Sequence, residues 1–223
     1  MHWDNLIVLI RKEFIIELRQ KYALGGMLLY LLSSIFVIYM AVTLKNAQIH
    51  PITWNAVLWI IMLFTAVNSI AKSFVQEKQG ILLYYYTICN PAEIILAKIL
   101  YNTLLMIFLI ATGTILYSIV LGNPIQNFTT FIIGSFLGAL GFAASFTTIS
   151  SIASKASNSS TLMAILGFPI ILPILLLVLK ISKNAIDNLP TENSHDSMLT
   201  LAAIIIISIT SSLLLFPYLW KSS

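Results

Sequence analysis

The side chains able to do chemistry are few in this sequence, and none falls in a pattern that an enzyme uses. The single cysteine, Cys89, excludes both a disulfide within the chain and a cysteine-based metal site. No phosphate-binding loop ending in Gly-Lys-Ser or Gly-Lys-Thr is present, so this chain does not hydrolyse ATP by itself. There is also no His-Glu-x-x-His segment and no aspartate pair inside an apolar run. We therefore expect no catalytic residue and no metal site.

The composition indicates that lipid is the main solvent of the chain. Apolar residues make up 59% of the 223 residues, charged residues only 9%, and the mean hydropathy is +0.95. A soluble domain has about 25% charged residues, so this chain could not cover a surface that faces water. The excess of 12 Lys and Arg over 8 Asp and Glu is small, and these charges lie at segment ends rather than in a patch. A nucleic-acid partner is therefore not expected.

Apolar runs free of ionisable side chains predict an all-α integral membrane protein, a single domain over residues 1–223. A membrane-spanning helix needs about 20 apolar residues, and Gly122-Asn-Pro divides the longest run. The six predicted spans are residues 23–44, 51–71, 99–121, 128–154, 156–179 and 198–220. Because none contains an ionisable residue, the sequence argues against proton coupling and favours an external source of energy.

The distribution of Lys and Arg predicts the orientation. With the N-terminus in the cytoplasm, nine of these residues lie inside and only Lys45, Lys180 and Lys183 lie outside. Cytoplasmic loops carry the excess of positive charge, so both termini are predicted to be cytoplasmic.

The N-terminal segment, residues 1–21, is predicted to form a helix in the cytoplasmic interface. Apolar residues recur there at helical spacing, at Trp3, Ile7, Ile10, Phe14 and Leu18. Such a face suits a helix that lies on the bilayer. The alternative is a cytoplasmic extension of the first span, which Gly25-Gly26 disfavours.

The connection between the second and third spans, residues 72–98, is predicted to be a structured cytoplasmic loop with a coupling helix. Gly80 and Asn90-Pro91 interrupt it, and the stretch between them is mostly apolar with three consecutive tyrosines, Tyr84–Tyr86. It is too short to span, and an aromatic surface of this kind suggests docking to another protein. The alternative is a re-entrant or interfacial helix that packs only on its own bundle.

Small residues and prolines distinguish the fourth and fifth spans. Gly134, Gly138 and Gly141 allow helices to approach closely, either within one subunit or between subunits. Pro169 and Pro173 each release a backbone carbonyl and predict a kink, which is either a hinge or only a fixed shape.

The order of these features resembles the type-2 ABC transporter permeases, most closely the heme exporter protein B (CcmB) family. Besides the glycine-rich fourth span and the two prolines of the fifth, the resemblance rests on the cytoplasmic loop, with Glu77, Gly80, Pro91 and Lys98. The loop departs from the family pattern at Ile81-Leu82-Leu83-Tyr84, where an acidic Leu-Glu-x-Leu stretch is common.

The resemblance implies a permease subunit in a bacterial inner membrane that works with a separate ATP-binding subunit of the CcmA type. Further partners would be membrane proteins of the CcmC and CcmD types and a periplasmic heme chaperone. The residues expected to couple to the ATPase are Glu77, Gly80, Pro91 and Lys98, which carry the resemblance, and Leu83 and Tyr85, which would be the apolar and aromatic anchors of the loop.

Heme is expected to be handled by the complex rather than bound by this chain. Heme iron accepts histidine ligands, and His50 and His195 both lie in predicted outer loops. Lone loop histidines are more often ordinary surface residues than ligands.

Two other functions are the alternatives to this interpretation. A type-2 ABC permease could instead export a lipid, a polysaccharide or a drug. An intramembrane prenyl or phosphatidyl transferase would need clustered carboxylates, which the predicted spans lack.

Overall fold

The computed structural model describes residues 3–19, 21–44, 49–70, 90–154 and 159–221. A short 3-10 helix, Thr191–Ser194, precedes the last α-helix. The α-helices of this described part are α1 (Trp3–Arg19), α2 (Lys21–Thr43), α3 (Pro51–Ile70), α4 (Pro91–Leu121), α5 (Phe128–Ala153), α6 (Ser159–Ile186) and α7 (His195–Lys221).

Six of these helices, α2 to α7, are long and apolar enough to cross a bilayer. The shortest candidate spans have 20 residues and the longest, α4, has 31. A helix needs about 20 residues to cross the hydrocarbon core, so each of the six is sufficient. The prediction of an all-α membrane protein with six spans is confirmed.

Three of the helices extend beyond the spans predicted for them. α4 begins at Pro91 instead of residue 99, because the Asn90 side chain accepts a hydrogen bond from the Ala92 backbone N–H at 3.2 Å and proline suits the first helical position. α6 continues to Ile186, and its exposed Lys183 lies in the last turn. α7 begins at residue 195 instead of 198. The sequence marked the span ends at charged residues, whereas these helices continue past them.

α5 lies at the centre of the bundle and packs against α3, α4, α6 and α7. Every residue from 141 to 150 is buried, although this stretch contains four hydroxyl side chains. Thr147 and Thr148 donate to the carbonyls of Ala143 and Ala144 at 2.6 and 2.8 Å. Small side chains and internal hydrogen bonds therefore let a partly polar helix occupy the core.

Buried polar side chains join α3 to α6. The indole N–H of Trp59 donates to the hydroxyl of Ser182 at 2.8 Å. One turn away, the amide of Asn55 donates to the Leu179 carbonyl at 2.9 Å. Hydrogen bonds between helices fix their register where lipid supplies no alternative partner.

The surface of the bundle is strongly apolar. Ile119 is 75% exposed, Phe168 71% and Leu199 69%. Such exposure would be unfavourable in water, but it fits helices whose outer faces contact lipid.

The two ends of the bundle have different structures. At the end opposite α1, the backbone N–H of Asn127 donates to the Ala185 carbonyl at 2.9 Å, and the indole of Trp54 donates to the Gly122 carbonyl at 3.0 Å. Gly122 has φ of +84°, which favours glycine at the end of α4. We call the other end, which contains α1 and the first turns of α4, the α1 end.

Candidate functional site

The implied coupling residues fall in two groups. Glu77, Gly80, Leu83 and Tyr85 lie outside the described residues. Pro91 occupies the first position of α4, and Lys98 lies two turns further along the same helix. The described part of the site is therefore the beginning of α4, directly after the predicted docking segment.

Lys98 is a buried residue of α4, whereas the sequence placed it at the end of a cytoplasmic loop. Its side chain is only 2% exposed, and its ammonium lies 3.5 Å from Oε1 of Glu13 on α1. The same oxygen lies 2.8 Å from the ammonium of Lys12. A buried charge needs a partner, and α1 supplies one.

A second contact joins α1 to α4 one turn beyond Lys98. The rings of Phe14 and Tyr101 meet edge to face, with centroids 5.1 Å apart. The hydroxyl of Tyr101 donates to the carboxyl group of Glu17. We call Glu13, Glu17, Lys98 and Tyr101 together the α1–α4 junction.

The two carboxyl groups of the junction have pKa values shifted in opposite directions. Burial raises the pKa of Glu13, but the ammonium groups of Lys98 and Lys12 outweigh it, so the pKa lies below its ordinary value. Burial and the negative charge of Glu13 both raise the pKa of Glu17, which the hydrogen bond from Tyr101 and the charge of Lys98 only partly offset. Glu13 is thus the charged partner of Lys98, while Glu17 retains a proton more readily.

A buried apolar cluster joins α1 to three helices of the bundle. Leu9 of α1 and Phe216 of α7 belong to one buried cluster with residues of α4 and α5. The α4 and α5 members of this cluster are Ile94, Ile95, Ala97, Ile99 and Ala144. α1 therefore packs on the bundle and not only on the bilayer.

Some of the apolar residues that recur at helical spacing along α1 are exposed. Ile7 is 62% exposed and Phe14 39%, whereas Leu6 and Leu9 are buried. An exposed apolar face next to a buried one suits a helix that contacts both lipid and protein.

Polar contacts continue from the junction into the core. Asn102, next to Tyr101 in the chain, donates to the Thr147 hydroxyl of α5 at 2.8 Å. Asn102 is 1% exposed. α4 thus has polar links both to α1 and to the central helix.

The three glycines of α5 lie where α5 packs against α6. A Cβ at Gly134 would lie 2.6 Å from Ile181, one at Gly138 would lie 3.1 Å from Val178, and one at Gly141 would lie 3.0 Å from Ile174. The glycines therefore serve a close approach of two helices within this chain.

The prolines of α6 do not interrupt the helix, which is continuous from Ser159 to Ile186. Pro169 and Pro173 are both exposed, on the side of α6 away from the core. Their role as a hinge stays a prediction.

The structure describes two of the three histidines, His50 and His195. His50 is exposed and accepts a hydrogen bond from the backbone N–H of Ile52 at 3.4 Å, and His195 is exposed at the start of α7. Within the described ranges, no group of three or more His, Cys, Asp or Glu side chains is arranged to hold a metal ion.

The sequence reasoning missed Glu13, Glu17 and Tyr101 as site residues. A signal was present, because two carboxylates four residues apart in an apolar helix share one face, as do Lys98 and Tyr101 three residues apart. Only the pairing of these two faces required the tertiary structure.

A family model described as CcmB protein matches residues 4–218, which is nearly the whole chain and includes every residue of the α1–α4 junction. No curated protein matches the chain.

Proposed function

This chain belongs to the CcmB family, and from that membership we propose that it is the permease subunit of an ABC-type complex that supports heme delivery for cytochrome c maturation. The observation that carries the proposal is the match to the family over residues 4–218. The six long apolar helices agree with a permease.

The energy would come from a separate ATP-binding subunit of the CcmA type. The chain has no phosphate-binding loop of its own. An ATPase of this kind is soluble and cytoplasmic, so its motion enters through a cytoplasmic surface of the permease. The longest connection of that kind is the segment before Pro91, with Glu77, Gly80, Leu83 and Tyr85.

The length of α4 supports this route. Its 31 residues extend about 46 Å, against about 30 Å for the hydrocarbon core. About ten residues therefore exceed the core, and the first turns, with Pro91 and Lys98, would project beyond it at the α1 end. Any displacement of the preceding segment acts directly on a helix that crosses the whole bilayer.

The membrane would be a bacterial inner membrane, with both termini cytoplasmic. The nine-to-three distribution of Lys and Arg supports this orientation. Membrane proteins of the CcmC and CcmD types and a heme chaperone would complete the complex. Direct contact with heme would belong to these partners, since the exposed His50 and His195 stand apart from any ligand cluster in the described ranges.

The proposal is tested by purifying the chain in mild detergent together with the ATP-binding subunit of the CcmA type from the same cells. We expect the unmodified chain to retain that subunit and to restore holo-cytochrome c in a strain that lacks the gene. Tyr85→Asp and Leu83→Asp should release the ATPase, because a charge at the centre of an interface removes an anchor that typically contributes about 2 kcal/mol or more.

The control is Ile7→Asp, which introduces the same charge at an exposed apolar position of α1. It should keep the ATPase if docking uses the segment before Pro91. Release by Ile7→Asp alone would move the docking site to α1. Failure of the unmodified chain to restore any holo-cytochrome c would overturn the proposed function.

A further inference from the structure

Lys98 is enclosed by the protein and is poorly placed to contact a soluble partner. Its side chain is 2% exposed, and α1 lies over it with Glu13 at 3.5 Å. A residue that docks an ATPase has to reach the surface of the permease. The burial of Lys98 therefore separates it from the docking residues with which the sequence grouped it.

We propose that Lys98 is a positioning residue: together with Glu13 it fixes α1 to the first turns of α4, so that both helices move as one body when the segment before Pro91 is displaced. This inference rests on the proposed function and names the part of the permease that receives the motion.

The geometry supplies two attachment points of different chemistry. Glu13 meets Lys98, and one turn further along both helices Glu17 accepts a hydrogen bond from Tyr101. Two directional contacts one turn apart fix both the position and the rotation of α1 on α4. Apolar burial, as at Leu9, is not directional and by itself tolerates sliding. A buried polar pair is best established as a device that fixes register.

The arrangement also explains how a helix outside the spans could act on the core. Asn102, one residue beyond Tyr101, donates to Thr147 of the central helix α5 at 2.8 Å. Displacement of the α1–α4 body would therefore reach α5 through α4, at the level where α5 is buried on all sides.

The test uses the complete complex with its ATP-binding subunit, in liposomes. The variants are Lys98→Met, which removes the ammonium, and Tyr101→Phe, which removes only the hydroxyl bound to Glu17. The matched control is Lys180→Met, at an exposed lysine of α6. Three quantities are measured: ATPase retained per permease, ATP turnover, and holo-cytochrome c formed in cells.

We expect Lys98→Met to retain the ATPase at the ratio of the unmodified complex and to keep ATP turnover in liposomes, while holo-cytochrome c formed in cells falls by roughly fivefold or more, within the range found for residues that modulate coupling. Tyr101→Phe should show a smaller loss of the same kind, and Lys180→Met none. A purely structural role would instead lower the protein level and all three quantities together.

A distance measurement tests the single-body motion directly. Spin labels at Arg11→Cys and Leu100→Cys, both at exposed positions, are introduced after Cys89→Ser. The distance between them should stay in one narrow distribution with and without nucleotide, and Lys98→Met should broaden it.

Two outcomes overturn the inference. Loss of the ATPase from Lys98→Met, with a stable permease, would make Lys98 a docking residue. Unchanged coupling and an unchanged distance distribution in Lys98→Met would show that the pair has no positioning role. If Lys98→Met does not accumulate, Tyr101→Phe decides by the same two readouts. Absence of the ATPase from the unmodified complex would instead contradict the proposed function.

Discussion

Gly134→Ala should destabilise the helix bundle, although alanine is the better helix former. A Cβ at this position lies 2.6 Å from Cγ2 of Ile181 on α6. Carbon atoms in contact prefer a separation of about 3.5–4.0 Å. Either Ile181 must leave its rotamer, or α5 and α6 must separate by about 1 Å at the point where they pack most closely.

The magnitude follows from two opposing effects. Overpacking a tight site costs about 1–3 kcal/mol. Replacing glycine inside a helix by alanine returns about 0.5–1 kcal/mol. The net loss should be about 1 kcal/mol, which is about fivefold in the unfolding equilibrium. Gly141→Ala should behave similarly but more weakly, since its Cβ would lie 3.0 Å from Ile174.

The assay is unfolding of the purified chain in mixed micelles with increasing dodecyl sulfate, followed by tryptophan fluorescence. Gly26→Ala is the matched control, because a Cβ there has no neighbour within 4 Å. It should be neutral or stabilising. Combining Gly134→Ala with Ile181→Ala should cost less than the sum of the two single changes, since the second removes the atom that the first contacts.

Equal stability of Gly134→Ala and Gly26→Ala would refute the close-approach role of the glycine. A change of oligomeric state without a change of stability would place the glycines at a contact between subunits, which is the alternative that the sequence leaves open.

Four further experiments test other parts of the structure. Trp59→Phe removes the donor to Ser182 and should lower the free energy of unfolding by about 1–3 kcal/mol, in the same micelle assay. The pKa of Glu13 is lowered, so its stabilisation is present above about pH 4.3 and is lost as pH falls through the lowered pKa; Glu13→Gln should therefore reduce thermal stability at neutral pH. The pKa of Glu17 is raised, so its contribution is lost as pH rises through that raised pKa, and Glu17→Gln should not reduce thermal stability at neutral pH. A topology reporter fused after Asn123 should read as periplasmic, and a cytoplasmic reading would contradict the proposed orientation.

Most of the architecture could be predicted from composition and from the length of apolar runs. In lipid every backbone polar group must be satisfied within the segment, so a run of about 20 apolar residues is a helix almost without alternative. Gly122-Asn-Pro predicted the end of α4, because Gly and Asn-Pro interrupt helices, and the helix does end at Leu121. The start of α1 at Trp3 also follows from local periodicity.

The beginning of α4 could not be predicted in the same way. Glu93 and Lys98 look like loop residues, because an isolated charge is costly in a span. Both are buried on α4, and for Lys98 the cost is offset by Glu13, which is distant in the chain. A partner 85 positions away leaves no trace in local hydropathy.

The sequence by itself determined the solvent of this protein, its six spans and the family to which it belongs, because each depends on local composition or on ordered motifs. Only the tertiary structure decided which faces meet. Lys98, expected in a loop, is a buried residue of α4 that pairs with Glu13 of α1. The three glycines of α5 lie against Ile174, Val178 and Ile181 of α6. Hydrophobic periodicity cannot choose between these faces in a membrane, because lipid and protein are both apolar and the choice depends on shape and on pairing of the few polar groups.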